Sequence, residues 1–318
     1  MKPIKKNVLT SLIFILVILS NFYKSEAQNL VQFEENDKWG LKNAEGKIIV
    51  EPIYYDIGHF HEGLAILQFG TYPPGYKYGF IDEKGKIIVP MSYDKVFDFE
   101  DGLAVVGVGS YETGYKIGFI DKTGKVIIPL KYIVAESFKE GLSKVGIGNN
   151  ATGVKYGFID KTGRAIIPLD YNQVEGFSFG LAKVSIGNEK TGYKFGFVDK
   201  KGKVIVPIKY DLAINFPDGN IKVRIGKDKK INKWGFIDKT GKVITPVKYD
   251  DIFGFFEGMA AVGIGNEEAG FKYGFIDQTG KEVIPLKYKS TSGFKSGMAK
   301  VELNGETFYI NKLGSRIK

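Results

Sequence analysis

Apolar and polar residues alternate with a period of two along many short stretches of this chain, as in LAKVSIG from Leu181 and KYGFID from Lys77. That is the pattern of strands with one buried face. Beyond the first thirty residues, no window of eleven or more keeps a 3.6-residue period without glycine or proline, so the pattern predicts an all-β chain. The strands also repeat. The glycine of an aromatic–glycine–apolar motif recurs at Gly40, Gly79, Gly118, Gly157, Gly196, Gly235 and Gly274, at intervals of 39 residues throughout. Chance does not give six equal intervals, and a fixed period of this length marks a repeat architecture.

One unit, from Tyr115, reads YKIGFIDKTGKVIIPLKYIVAESFKEGLSKVGIGNNATG and divides into four extended pieces. The first ends in Asp-Lys-Thr-Gly, where aspartate at position one and glycine at position four suit a type I turn with a glycine bulge. The second, KVIIP, is expected to stop at Pro90, Pro129, Pro168, Pro207, Pro246 or Pro285, because proline cannot donate to a ladder. A third begins at Tyr55, Tyr93, Tyr132, Tyr171, Tyr210, Tyr249 or Tyr288. A phenylalanine follows in every unit, from Phe60 to Phe294, and reads as a repeated core position. Three residues on, a glycine column from Gly63 to Gly297 marks a positive φ or a close backbone approach. The fourth piece is the alternating LAKVSIG. At the ends, Leu30 to Phe33 reads as a fourth strand without its unit. FYINKLGS, from Phe308, reads as a degenerate hairpin in which Phe308 replaces the motif glycine and Asn311 the turn aspartate. Atypical terminal units are the expected caps of an array.

KWG at Lys38–Gly40, KWGFIDKTGKVITPVKYD at Lys233–Asp250 and FFEGMAAV at Phe255–Val262 resemble the WG-repeat (KWG-repeat) proteins over nearly the whole chain beyond the first thirty residues. The resemblance implies a repeat scaffold, frequent in bacteria, with no catalytic residues to carry over. The chain departs from the family name at Ile117, which stands where tryptophan would, and most units carry tyrosine or phenylalanine there. Four short strands in about 40 residues is the size of a propeller blade. The expected fold is therefore a tandem array of seven four-stranded 39-residue repeats, with a β-propeller-like ring favoured over an open, end-capped β-solenoid.

The first residues change the picture of where the chain works. MKPIKKN is followed by a twelve-residue apolar run, Val8–Leu19, and by small residues at Ser25 and Ala27. This pattern predicts a signal peptide over 1–27, removed before Gln28, and a β domain over 28–318, with a retained anchor as the competing reading. Export to the periplasm or cell surface follows, with no membrane span after cleavage. There is no cysteine, so disulfides and thiolate metal sites are excluded. Four lysines against one glutamate put +3 in the leader, leaving +6 of the chain's +9 for the rest. So mild a surplus favours an anionic envelope polymer or a protein as partner, and nucleic acid is not expected.

Candidate chemistry lies in columns. Lys38, Lys77, Lys116, Lys155, Lys194, Lys233 and Lys272 precede each motif glycine by two residues, either as a line of charge for an acidic polymer or as a solvated strand face. Beside them Tyr76, Tyr115, Tyr193 and Phe271 read as loop aromatics that could grip a partner or pack between units. The loops GSYETG, GNNATG, GNEKTG, GKDKKIN and GNEEAG vary most. Asp82, Asp121, Asp160, Asp199, Asp238 and Asp277 read as turn formers, and His59 with His61 lacks a third metal ligand. GVGSYETG has no helix to present a phosphate site, so its glycine spacing is incidental. No catalytic cluster, metal or cofactor is expected, apart from the chance that Glu257 and Asp218 converge. The reading is an exported, non-enzymatic scaffold that binds an envelope glycan or protein through its loops. The alternative is a self-associating structural component.

Overall fold

The computed structural model describes residues 30–71, 75–149, 153–226 and 232–317; among them are thirty β-strands and no helix. The expected leader lies outside the described residues, as do 72–74, 150–152 and 227–231. No helix among the described residues is long and apolar enough to cross a membrane.

The strands form eight antiparallel sheets in which spatial order follows chain order, so hairpins make the connections. Six sheets have four strands, over residues 56–93, 95–132, 134–171, 173–210, 212–249 and 251–288. The first, 31–54, and the eighth, 290–311, have three. The chain divides into two compact units, Met1–Lys131 and Tyr132–Lys318. The first unit carries the first three sheets, bar the terminal Tyr132, and the second carries the other five.

The sheets are cut differently from the expected repeat. In the second, third and later sheets the second piece of the unit does not end at proline. Ile87–Tyr93 runs through Pro90 to the tyrosine, and Val204–Tyr210 runs through Pro207. Proline is tolerated because it sits in a bulge on the outer strand. Tyr78 pairs with Tyr93 and Phe80 with Val89, so the outer strand advances four residues for two on its partner. The tyrosine therefore closes a sheet instead of opening a strand. After it a two-residue strand, such as Asp56–Ile57 or Gln173–Val174, begins the next sheet. Each four-stranded sheet thus joins the end of one sequence unit to the hairpin of the following one. In the first unit this column is filled by Tyr54, which pairs with Trp39 and is 5% exposed, and not by Tyr55, which is 46% exposed.

The core lies between successive sheets within each unit. In the first unit Leu41, Val50 and Tyr54 meet Ile57, Ala65 and Leu67 of the next sheet. In the second, Phe197, Val206 and Tyr210 meet Ala213, Ile221 and Val223. Each such valine, leucine, isoleucine or phenylalanine, fully buried, stabilises the fold by about 1.5–3 kcal/mol. The phenylalanine column joins them: Phe80 and Phe99 have ring centroids 4.9 Å apart, Phe158 and Phe177 4.9 Å, and Phe275 and Phe294 4.8 Å. Such pairs add roughly 0.5–1.5 kcal/mol beyond burial. At the ends, Val31–Glu35 pairs with Lys38–Lys42, and Phe308 stands opposite Val301 as Gly274 stands opposite Val262. The spare strand and the degenerate hairpin are both present.

Candidate functional site

The lysine column has a task inside the fold. Lys77 Nζ lies 2.5 Å from Asp94 Oδ1, and the other oxygen of Asp94 accepts the Gly109 backbone N–H at 3.0 Å. Lys77 belongs to the second sheet and Gly109 to the third, so the aspartate clamps one sheet to the next. The clamp recurs at Lys194–Asp211–Gly226, with a lysine contact of 2.7 Å, and at Lys233–Asp250–Gly265, at 2.5 Å. An amide serves in one place: Asn172 Oδ1 accepts from Lys155 Nζ at 3.0 Å and from Gly187 N–H at 3.1 Å. Although burial opposes it, the bonds from Lys77 and Gly109 hold the Asp94 carboxyl below its ordinary range. Ile133 and Lys289 stand 17 residues after Lys116 and Lys272, where the acid would be. Lys116 and Lys272 are thus the two exposed members of the predicted binding column with no ion pair among the described residues.

Tyr76, Tyr115, Tyr193 and Phe271 are strand residues, not loop residues: each is the second residue of the strand that opens at Gly75, Gly114, Gly192 or Gly270. All are half-buried against neighbours. The Tyr76 ring lies 4.4 Å from Tyr55, Tyr115 lies under Lys95 Nζ at 5.4 Å, and Phe271 stacks on Tyr273 at 5.6 Å. The variable loops are correspondingly short. The hairpin between Leu103–Ser110 and Gly114–Asp121 has three residues at its tip, and Tyr111 there is almost fully exposed.

The aspartate column forms turns as expected. Asp121 Oδ1 accepts the N–H groups of Thr123 and Lys125 and the Thr123 hydroxyl at 2.6–3.1 Å, and Asp160, Asp238 and Asp277 do the same with their own threonines. Asn43 and Asn311 accept the same backbone bonds in the terminal hairpins. His61 Nε2 lies 3.7 Å from Asp98 Oδ2, and no group of three metal-ligating side chains gathers among the described residues.

Two groups went unrecognised in the sequence. One is the turn acid that precedes most glycines of the Gly63 column, five of the seven. Glu62 and Gly63 both have positive φ, 51° and 87°, and His61 and Leu64 exchange both backbone bonds, a two-residue type I′ hairpin. Glu62 then reaches the next turn, accepting Gly102 N–H at 3.1 Å, and takes the Lys122 ammonium at 3.0 Å. Glu140 pairs with Lys200 in the same way. Glu257 takes Ser296 and Gly297 N–H at 2.6 and 2.9 Å, and its carbonyl takes Lys312 Nζ at 2.8 Å. Glu257 is therefore engaged in the eighth sheet, while Asp218 bonds Asn220 within its own turn. The repeated Glu-Gly-Leu step was a signal for this staple, but its partners lie 40 and 60 residues away. The other group is Lys222, whose Nζ sits 4.1 Å from the Trp234 ring and donates to the Ile252 carbonyl. Burial pulls its pKa down, against the pull of Asp251.

The repeat model described as WG containing repeat matches seven segments of the chain: 39–70, 78–111, 117–150, 156–189, 195–229, 234–267 and 273–306. The chain belongs to the WG-repeat family. A comparison with curated proteins returns no match. Among solved structures, this WG-repeat chain is similar to the β-propeller domain of the Trilobed protease from Pyrococcus furiosus, at 12% identity over 80% of this chain and 91% of that one, TM-score 0.32. It is also similar to the acylaminoacyl peptidase of Pyrococcus horikoshii, at 13% identity over 84% of this chain, TM-score 0.31; it spans about half, 52%, of that chain. The BP39L lectin of Burkholderia pseudomallei gives 8% identity over 80% and 94%, TM-score 0.28. No functional reading rests on likenesses of this size.

Proposed function

We propose that this WG-repeat chain is an exported, non-catalytic scaffold that presents its inter-strand loops to a macromolecular partner, an envelope glycan or a protein. The observation that supports the reading is where the shared polar residues go. The turn aspartates, most of the lysine column and the turn glutamates are bonded within the fold, while unit-to-unit differences collect at the three-residue hairpin tips. The chain lacking residues 1–27, immobilised at low salt, is expected to retain a component of envelope fractions. Retention of neither glycan nor envelope protein would remove the reading. Self-association is a second reading, favoured by a row of exposed apolar residues at one strand position, Ile147, Ile186, Ile225 and Ile264. Sedimentation velocity across a hundred-fold concentration range decides it: a concentration-independent monomer rules it out.

A further inference from the structure

Three hollows run end to end along the junction of the fourth sheet, 134–171, and the fifth, 173–210. One of about 420 Å³ is lined by Lys144, Tyr156, Asn172, Gln173 and Tyr193, with Val134 and Val174 beneath. Lys144 is shared with a narrower middle section beside Lys139, Gly176 and Phe177. Glu140 and Leu142 are shared between that section and a third hollow of about 580 Å³ beside Asp160, Arg164, Lys200 and Lys201. The result is one open furrow. It is open in the middle because of what faces Gly176. A Cβ added at Gly254 or Gly293 would meet Phe216 or Phe256 of the preceding sheet, whereas one added at Gly176 meets nothing within 4 Å. The counterpart of Phe256 at this junction, 37 positions ahead of the glycine and three periods earlier in the chain, is Lys139, while that of Phe216, 38 positions ahead, is Phe138.

The first hollow has unused hydrogen-bonding groups beside aromatic rings. Asn172 spends its oxygen on Lys155 and Gly187, and Gln173 its oxygen on the Ser185 hydroxyl at 3.4 Å. Their amide NH₂ groups, and the hydroxyls of Tyr156 and Tyr193, have no hydrogen-bond partner among the described residues. Half-buried rings with free hydroxyl and amide groups suit a sugar, whose C–H face packs on an aromatic and whose hydroxyls both donate and accept. Charge sets the class of sugar. Glu136, Glu140 and Asp160 are each matched, by Lys144, Lys200 and Arg164, which leaves Lys139 and Lys201 as surplus positive charge. A peptide adding as a strand fits poorly, because the bordering edges are the two-residue strand Gln173–Val174 and the bulged strand holding Pro168.

We propose that this furrow binds an extended acidic glycan. Its sugar rings pack on Tyr156 and Tyr193 and bond to Asn172 and Gln173, and its carboxylates meet Lys139 and Lys201. This deepens the scaffold reading above and rests on it. The test is calorimetric titration of the chain lacking residues 1–27 with an oligogalacturonate probe, and with dextran as the neutral control. The parent protein is expected to bind the uronate and not dextran. Gly176→Trp, which fills the middle of the furrow from a position with open space, and Tyr193→Ala are each expected to weaken binding at least ten-fold with the thermal midpoint unchanged. Should Gly176→Trp fail to fold, Lys201→Glu, an exposed change, is expected to lower affinity and flatten its salt dependence. Dextran binding as strong as uronate binding, uronate binding unaffected by these variants, or no uronate binding overturns the proposal. If the parent and Gly176→Trp proteins then retain the same envelope protein, the furrow proposal alone has failed. If neither retains anything, the scaffold reading falls with it.

Discussion

The motif glycine is a packing requirement of the bulge around proline. A Cβ on Gly118 would lie 2.4 Å from the Ile128 carbonyl oxygen, and one on Gly79 2.2 Å from that of Val89, inside any allowed contact. Gly118→Ala should therefore destabilise the protein by about 2–4 kcal/mol, measured by urea unfolding. Phe179 carries the opposite problem. It occupies the first position of a turn filled elsewhere by glutamate, aspartate or serine, with φ of 52° and 55% of its surface exposed. A left-handed conformation costs a bulky residue about 1–2 kcal/mol, so Phe179→Asn should raise the unfolding free energy by about 1 kcal/mol, read as a higher urea midpoint with an unchanged slope. The turn aspartates carry a pH dependence. The threonine hydroxyl, followed by backbone N–H groups, holds Asp277 below its ordinary pKa. The unfolded chain then binds a proton at a higher pH than the folded one. The stabilisation is complete above the ordinary carboxylate range and is lost as pH falls through the lowered folded value. Asp277→Asn, which copies Asn43 and Asn311, should keep the turn at pH 7 and reduce the loss of stability between pH 5 and 2 in a pH series of urea midpoints.

Among the elements, the sheets are tied to one another by polar links as well as by their cores. The Lys194–Asp211–Gly226 clamp holds a carboxylate whose side chain is only 6% exposed. Removing its cation leaves a buried charge with fewer partners. Lys194→Met should cost about 1–3 kcal/mol, while Lys116→Met, at an exposed lysine with no ion pair among the described residues, should stay within about 0.5 kcal/mol by the same denaturant measurement. The contrast separates a structural lysine from one available to a ligand, and it bears on the binding column. Members that hold a clamp cannot be replaced without disturbing the junction, so a binding defect in them is uninformative unless stability is measured alongside.

At the scale of the whole molecule, polar links span from under half a period to about one and a half: 15–17 residues in the clamps, 40 for Glu62 to Gly102 and 60 for Glu62 to Lys122. Stability built from such links and from junction cores follows neighbours more than the chain as a whole. The eighth sheet is the last neighbour of the seventh. Its strand Glu306–Asn311 covers the Met298–Leu303 edge and buries Ile310 completely. A chain ending at Leu303 would expose that edge and the core beside Ile284, and should associate at lower concentrations than the full chain in sedimentation velocity.

The strand content, the 39-residue period, the two atypical ends and the turn chemistry can all be read from the sequence, because each of these is encoded locally. Period-two alternation, an aspartate three residues before a glycine, and equal spacing need no distant partner to be read. The family was legible for the same reason, from KWG and the Glu-Gly-Leu step. Tertiary structure decided where one sheet ends and the next begins. Proline terminates a strand on local grounds, yet here a bulge accepts Pro90 and its counterparts because the facing glycine leaves room for the backbone. It also decided which polar residues remain available to a partner. Lys77 and Lys116 occupy the same position in similar local patterns, yet Lys77 meets an aspartate 17 positions on, brought alongside by the turn into the next sheet, and forms a clamp, while Lys116 has no ion pair among the described residues. Likewise Gly176, one glycine among 41, matters because its surroundings are open where Gly293 meets Phe256, and the counterpart of Phe256 ahead of Gly176 is Lys139.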